Sequence, residues 1–142
     1  MAIVIGPEEM AGFLDEVFPQ VKGMFGIDRI DESLTVMRLF NEERHLRPGG
    51  TVSGPAMFSL ADVAAYVATM SRIGREALAV TTHCSIDFMR KPAAGIDLIA
   101  EARVLKLGRT LSVTDVLLFS EGMPEPVAHA SLTYSIPPRR SS

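Results

Sequence analysis

Ala56 to Met70 reads Ala-Met-Phe-Ser-Leu-Ala-Asp-Val-Ala-Ala-Tyr-Val-Ala-Thr-Met, a helical stretch that is apolar on nearly every face. Such a helix has to be wrapped on most sides. Its boundaries are legible. Ser53-Gly54-Pro55 opens it, with serine a favoured cap and proline tolerated in the first turn. Arg72, Gly74 and Arg75 mark the exit, which predicts a helix over about 54–72. It is too short and too interrupted to span a bilayer core of roughly 30 Å. One residue violates the pattern. Asp62 places a carboxylate among apolar neighbours. A buried carboxylate is costly and is usually paired or functional, so Asp62 is the first candidate for chemistry.

The remaining chain supplies the wrapping. Pro7 opens a helix predicted over about 7–18, with Met10, Phe13, Leu14 and Val17 at amphipathic spacing and Pro19 and Gly23 ending it. Leu34 to Phe40 reads as a strand. Four more strand-like runs follow the apolar helix, at Ala79 to Phe88, Ile96 to Leu107, Thr110 to Phe119 and Val127 to Ile136. Hairpin-length gaps between the last three favour an antiparallel meander. Residues 137–142 read as a frayed, disordered tail. The expected fold is α+β, a curved antiparallel sheet around one central apolar helix, in a single domain over 1–142. The outer face of the sheet needs a cover, from a partner's sheet or from the N-terminal helix.

Several function classes are disfavoured. The net charge is −3 with acids and bases mixed, which argues against a nucleic-acid partner. The single cysteine, Cys84, excludes an intramolecular disulfide and suggests a reducing compartment. The N-terminus lacks a signal-peptide pattern, so a cytoplasmic, non-membrane protein is expected. No metal-ligand spacing, no Gly-x-Ser-x-Gly elbow and no Gly-x-Gly-x-x-Gly loop occurs. His83 and His129 lie in strand-like runs and read as packed or hydrogen-bonded. His45 lies nearer the helix start but is also read as structural. Strand alternation places Cys84 on the face opposite Thr81, as a buried inert thiol.

The run His45-Leu46-Arg47-Pro48-Gly49-Gly50-Thr51-Val52-Ser53-Gly54-Pro55, followed by Ser59-Leu60-Ala61-Asp62, resembles the loop-and-helix signature of hotdog-fold acyl-CoA thioesterases of the phenylacetyl-CoA type. Ile86-Asp87-Phe88-Met89 with Pro92 and Gly95, and Gly108-Arg109-Thr110, are similar to that family's next strand, turn and hairpin. The resemblance covers roughly residues 34–136 and implies a hotdog fold. It also implies that Asp62 is the catalytic carboxylate, acting as nucleophile or as general base for water. Gly54 falls on the glycine whose backbone N–H polarises the thioester carbonyl, a role suited to a helix N-terminus. Thr81 falls near a hydroxyl residue that positions the water and comes from the other subunit. The implied site therefore takes Asp62 and Gly54 from one chain and Thr81 from its partner.

Two positions depart from the family pattern. Arg47 stands where the family has Asn, and Ser53-Gly54-Pro55 stands for its His-Gly-Gly. Arg47 can either pair with Asp62 or bind an anionic part of the substrate. Ser53 either takes over the histidine's role or only caps the helix. Arg90, Lys91, Lys106 and Arg109 fall at strand ends and hairpins, as a solvated rim or as a grip on coenzyme A phosphates. Met57, Phe58 and Tyr66 are expected to line the acyl pocket. The expected activity is hydrolysis of a small or medium acyl-CoA with an apolar or aromatic acyl group, by a homodimer or dimer of dimers. No metal is expected, and no cofactor beyond the coenzyme A of the substrate. The rivals are an enoyl-thioester hydratase or dehydratase, which needs a His paired with an acid, and a non-catalytic acyl-CoA binding module.

Overall fold

The expected curved sheet is present, with one strand more than the sequence suggests. The computed structural model describes residues 2–138. Its elements are α1 (Pro7–Val17), β1 (Phe25–Ile30), β2 (Thr35–Leu39), α2 (Gly54–Ile73), β3 (Val80–Phe88), β4 (Leu98–Leu107), β5 (Leu111–Ser120) and β6 (Pro126–Ser135). The six strands form one antiparallel sheet in the order β1-β2-β4-β5-β6-β3. β4, β5 and β6 are the expected meander. β1 was not expected, because Gly26, Asp28 and Arg29 interrupt its apolar character and leave it half exposed at the sheet edge. No helix among the described residues is long and apolar enough to cross a membrane.

α2 is the centre of the core. Leu60, Ala61, Ala64, Ala65, Val67, Ala68 and Met70 are fully buried. The sheet meets them with small inward residues such as Ala100, Ala102, Ala128 and Ala130, which let helix and strands approach closely. Strict alternation in β5 turns Ser112, Thr114, Val116, Leu118 and Ser120 inward. The helix is not buried on every face, however. Pro55, Phe58, Ser59 and Asp62 follow one another at helical spacing along an open stripe, and Phe58 is 38% exposed.

The ends of α2 form as the sequence predicts. The Ser53 hydroxyl accepts the Ala56 N–H (3.3 Å). At the other end Gly74 takes φ 96°, a conformation suited to glycine, and its N–H reaches the Met70 carbonyl (2.9 Å). Just before it, buried Arg72 donates to the Asp31 and Glu32 carbonyls, the Thr35 hydroxyl and the Ala68 carbonyl. It straps the β1–β2 turn to the helix.

α1 buries Met10, Phe13 and Leu14 in the same core as α2 and packs on β1. It therefore lies on the helix side of the sheet, and the convex face, with Ile99, Leu117 and Phe119 half exposed, stays uncovered. Arg75 anchors α1 through an ion pair with Glu9 (3.2 Å) and by lying over the Phe13 ring (5.4 Å). The expected tail at 137–142 falls mostly outside the described residues; Pro137 and Pro138 belong to no element.

Candidate active site

Asp62 lies where the open stripe of α2 meets β3 and β6. Two donors converge on one of its oxygens. The Thr81 hydroxyl donates to Oδ1 at 2.6 Å and the Tyr134 phenol donates to the same atom at 2.8 Å. Tyr134 also reaches the Asp62 backbone carbonyl (3.0 Å). The other oxygen, Oδ2, has no hydrogen-bond partner among the described residues and is not sealed from solvent. Burial, followed by the charge of Asp62, holds the Tyr134 phenol far above the ordinary phenol range, so it remains a donor at any working pH. Its ring leans on Tyr66 (centroids 5.9 Å apart), whose own hydroxyl donates to the Ala77 carbonyl (3.3 Å). Asp62, Thr81, Tyr66 and Tyr134 share a cavity of about 260 Å³ with the apolar side chains of Val17, Phe18, Val63, Ala79 and Val80.

Thr81 reaches Asp62 because β3 is irregular. Thr81 pairs with Tyr134 of β6 and His83 with Thr133, so Thr82 is an extra residue, a β-bulge. Without it, Thr81 and Cys84 would point to opposite faces, as simple alternation predicts. With it, both face the helix, and Cys84 packs against the core. Burial, and then the charge of Asp62, pushes the Cys84 thiol up.

A second cavity, of about 400 Å³, lies at the N-terminus of α2 beside Gly54, Arg47, Arg90 and Lys91. In the first turn of the helix, Pro55 has no N–H, the Ala56 N–H is taken by the Ser53 hydroxyl, and the Met57 N–H by the Ser53 carbonyl (3.0 Å). Gly54 is left with the one free amide of that turn, at the positive end of the helix dipole. Arg90 is held by Glu125 (2.8 Å), whereas Arg47 and Lys91 make no ion pair among the described residues.

The sequence profile of the thioesterase superfamily matches residues 49–127, more than half of the chain. The chain belongs to the thioesterase superfamily. A search of curated proteins finds no match. Among solved structures, the chain is similar to a candidate thioesterase from Silicibacter sp. TM1040, at 59% identity with TM-score 0.92 over 97% of this chain and 96% of that one. It is also similar to the Escherichia coli PaaI protein from the phenylacetic acid degradation operon, at 28% identity with TM-score 0.73, over 90% and 95% of the two chains. A Streptococcus mutans protein bound to acetyl-CoA shares the fold at 24% identity, with TM-score 0.72 over 82% of this chain and 91% of that one. The fold is the hotdog fold, a curved antiparallel sheet around a central helix.

Against the pattern that resemblance to the thioesterase family suggested, the residues are distributed differently. Thr81, expected from a second subunit, serves Asp62 within the same chain. Gly54 and Asp62, expected to act together in one chain, line different cavities; eight residues of helix separate them by about 12 Å along the axis. Arg47 is not paired with Asp62 and lies with Arg90 and Lys91. Ser53 caps the helix. The expected acyl-pocket residues divide, since Tyr66 lines the Asp62 cavity, Met57 the Gly54 cavity and Phe58 neither. Arg109 lies by Ile73 at the far end of a helix about 30 Å long, so it does not join Arg90 and Lys91.

The three histidines stay out of the Asp62 cluster. His45 is 7% exposed with neither ring nitrogen hydrogen-bonded among the described residues, His83 is exposed, and His129 pairs with Asp115 on the convex face. No group of His, Cys, Asp or Glu among the described residues could hold a metal ion. The sequence reading missed Tyr134. Its signal was a polar-tipped ring closing an inward row of Ala128, Ala130 and Leu132.

Proposed function

We propose that the protein hydrolyses the thioester of a small or medium acyl-CoA whose acyl group is apolar or aromatic, at a site shared between two copies of the chain. The observation that carries this reading is the state of Asp62, a carboxylate in a cavity of mixed polar and apolar walls with one oxygen tied by two donors and the other free. The free Oδ2 is oriented to act. It either attacks the thioester carbonyl carbon, giving an acyl-aspartyl anhydride that water then hydrolyses, or takes a proton from an attacking water. In both routes the C–S bond breaks and coenzyme A leaves as a thiolate. The chemistry asks for no cofactor.

The developing oxyanion needs a donor, and the free Gly54 N–H of the same chain lies too far along α2. A second copy, its α2 running antiparallel to the first, supplies its own Gly54 instead. The unpaired outer edge of β3, with Leu78, Val80, Phe88 and Met89 exposed along or beside it, is the natural seam for such a homodimer. Arg47, Arg90 and Lys91 beside Gly54 then meet the anionic coenzyme. The acetyl-CoA held by the Streptococcus mutans protein is a ligand of this class on the same fold.

The test is a hydrolysis screen over acyl-CoAs of varied length and aromaticity. The wild type turns over at least one, and Asp62→Asn lowers kcat on the order of 10²–10⁴-fold while the protein stays folded. If the wild type binds the panel but hydrolyses it no faster than Asp62→Ala does, the chain is a binding module. Hydration of an enoyl-CoA without hydrolysis of any acyl-CoA makes it a hydratase, a reading disfavoured by the absence of a histidine at Asp62.

A further inference from the structure

α1 carries an apolar stripe of Met10, Phe13, Leu14 and Val17. The first three are buried, but Val17 is 37% exposed and its neighbour Phe18 39% exposed. These two have no core of their own to pack on. They project instead into the cavity that holds Asp62, opposite Tyr66, Thr81 and Tyr134. The wall they form is fixed. The Phe18 N–H is bonded to the Leu14 carbonyl (2.8 Å), Pro19 ends the helix, and the Glu9–Arg75–Phe13 contacts hold α1 to the connection after α2.

We infer that Val17 and Phe18, at the end of α1, form the end wall of the acyl site and set the size of acyl group the protein accepts. This rests on the thioesterase reading, which puts the thioester carbon at Asp62 Oδ2. With coenzyme A leaving toward the basic cavity, the acyl group enters the remaining space, whose other walls are Val63, Ala79 and Val80. The cavity, about 260 Å³ within one chain, gives a medium straight chain or a phenylacetyl group room against Val17 and Phe18. The acyl group in turn covers the two exposed side chains, which gives an apolar substrate its affinity there.

The test compares wild type, Phe18→Ala and Val17→Phe on straight-chain acyl-CoAs from acetyl to dodecanoyl and on phenylacetyl-CoA. Binding of the same series is measured by calorimetry in an Asp62→Asn background. Both sites are over one-third exposed, so neither change removes a core side chain. Phe18→Ala moves the chain-length optimum of kcat/KM up by two or more carbons. Val17→Phe lowers kcat/KM for the longest accepted chain, relative to acetyl-CoA, by 10-fold or more. The dissociation constants follow the same order. An unchanged profile in both variants, by rate and by binding, overturns the inference. A wild type that hydrolyses nothing but whose binding profile shifts with these residues overturns the thioesterase reading and leaves the wall standing. A wild type that neither hydrolyses nor binds any member of the panel removes both.

Discussion

Asp62 is held asymmetrically, and that governs what single substitutions do. Thr81 and Tyr134 fix Oδ1, so the direction of Oδ2 is set before any substrate arrives. In the proposed mechanism Tyr134 is a positioning residue, since its phenol donates to Asp62. Tyr134→Phe keeps the ring on Tyr66 and removes only the donor. It is expected to lower kcat by about 10-fold with KM near the wild-type value, at a cost of about 1–2 kcal/mol in urea unfolding. A purely structural role would leave the kcat-to-KM split unmoved. Cys84 gives an independent probe of the same charge. Its thiol is raised by burial first and by Asp62 second, so less thiolate is present at a given pH than for a free cysteine. Alkylation at pH 8 is therefore expected to be slow. Asp62→Asn removes one of the two causes, lowers the thiol's pKa and speeds the reaction. No acceleration would mean that the Asp62 charge is not felt at the sulfur.

At the scale of elements, the first turn of α2 and the strap at its end invite separate tests. Gly54→Pro deletes the one free amide of the turn. Ser53 is already extended (ψ 159°) and proline is at home in the first helical position. The expected result is a loss on the order of 10²–10³ in kcat, with a modest drop in melting temperature because residue 54 stands before Pro55. Arg72→Met removes the donors that hold the Asp31 and Glu32 carbonyls. It is expected to lower the unfolding free energy by about 2–4 kcal/mol in denaturant titration. Much of this level was legible in the sequence. Both helices, their proline starts, the glycine after α2 and five strands follow from periodicity and turn residues. β1 was hidden because an edge strand with Asp28 and Arg29 exposed lacks the apolar run that marks a strand. The openness of α2 beside Phe58 was hidden because composition gives a helix's apolarity and not which neighbours are present to cover it.

For the whole molecule, the sequence singled out Asp62 and Gly54, and the structure sets them in different cavities of one chain with Thr81 on Asp62. The separation of Gly54 from Asp62 was already implied by a rise of about 1.5 Å per residue. The contact between Thr81 and Asp62 was not, because nothing in Thr-Thr-His-Cys announces an extra residue. Mixing experiments decide the assembly. Asp62→Asn and Gly54→Pro chains, each inactive alone, are mixed under conditions that exchange subunits. If the site is shared, mixed dimers hold one intact site each, and activity returns to roughly a quarter of the wild-type level by random pairing. If both groups act from one chain, none returns. The bulge at Thr82 has a further consequence for variation along β3. It resets the in-and-out parity of the strand between Thr81 and Cys84, so each side of it obeys its own alternation. Deleting Thr82 would leave Thr81 opposite Tyr134 and His83 opposite Thr133 and keep both faces, whereas pairing every residue of β3 without the bulge would turn one side of the strand inside out and put a different side chain before the carboxylate. A frame of one residue, invisible in composition, thus separates a chain that holds its acid in working geometry from one that merely folds.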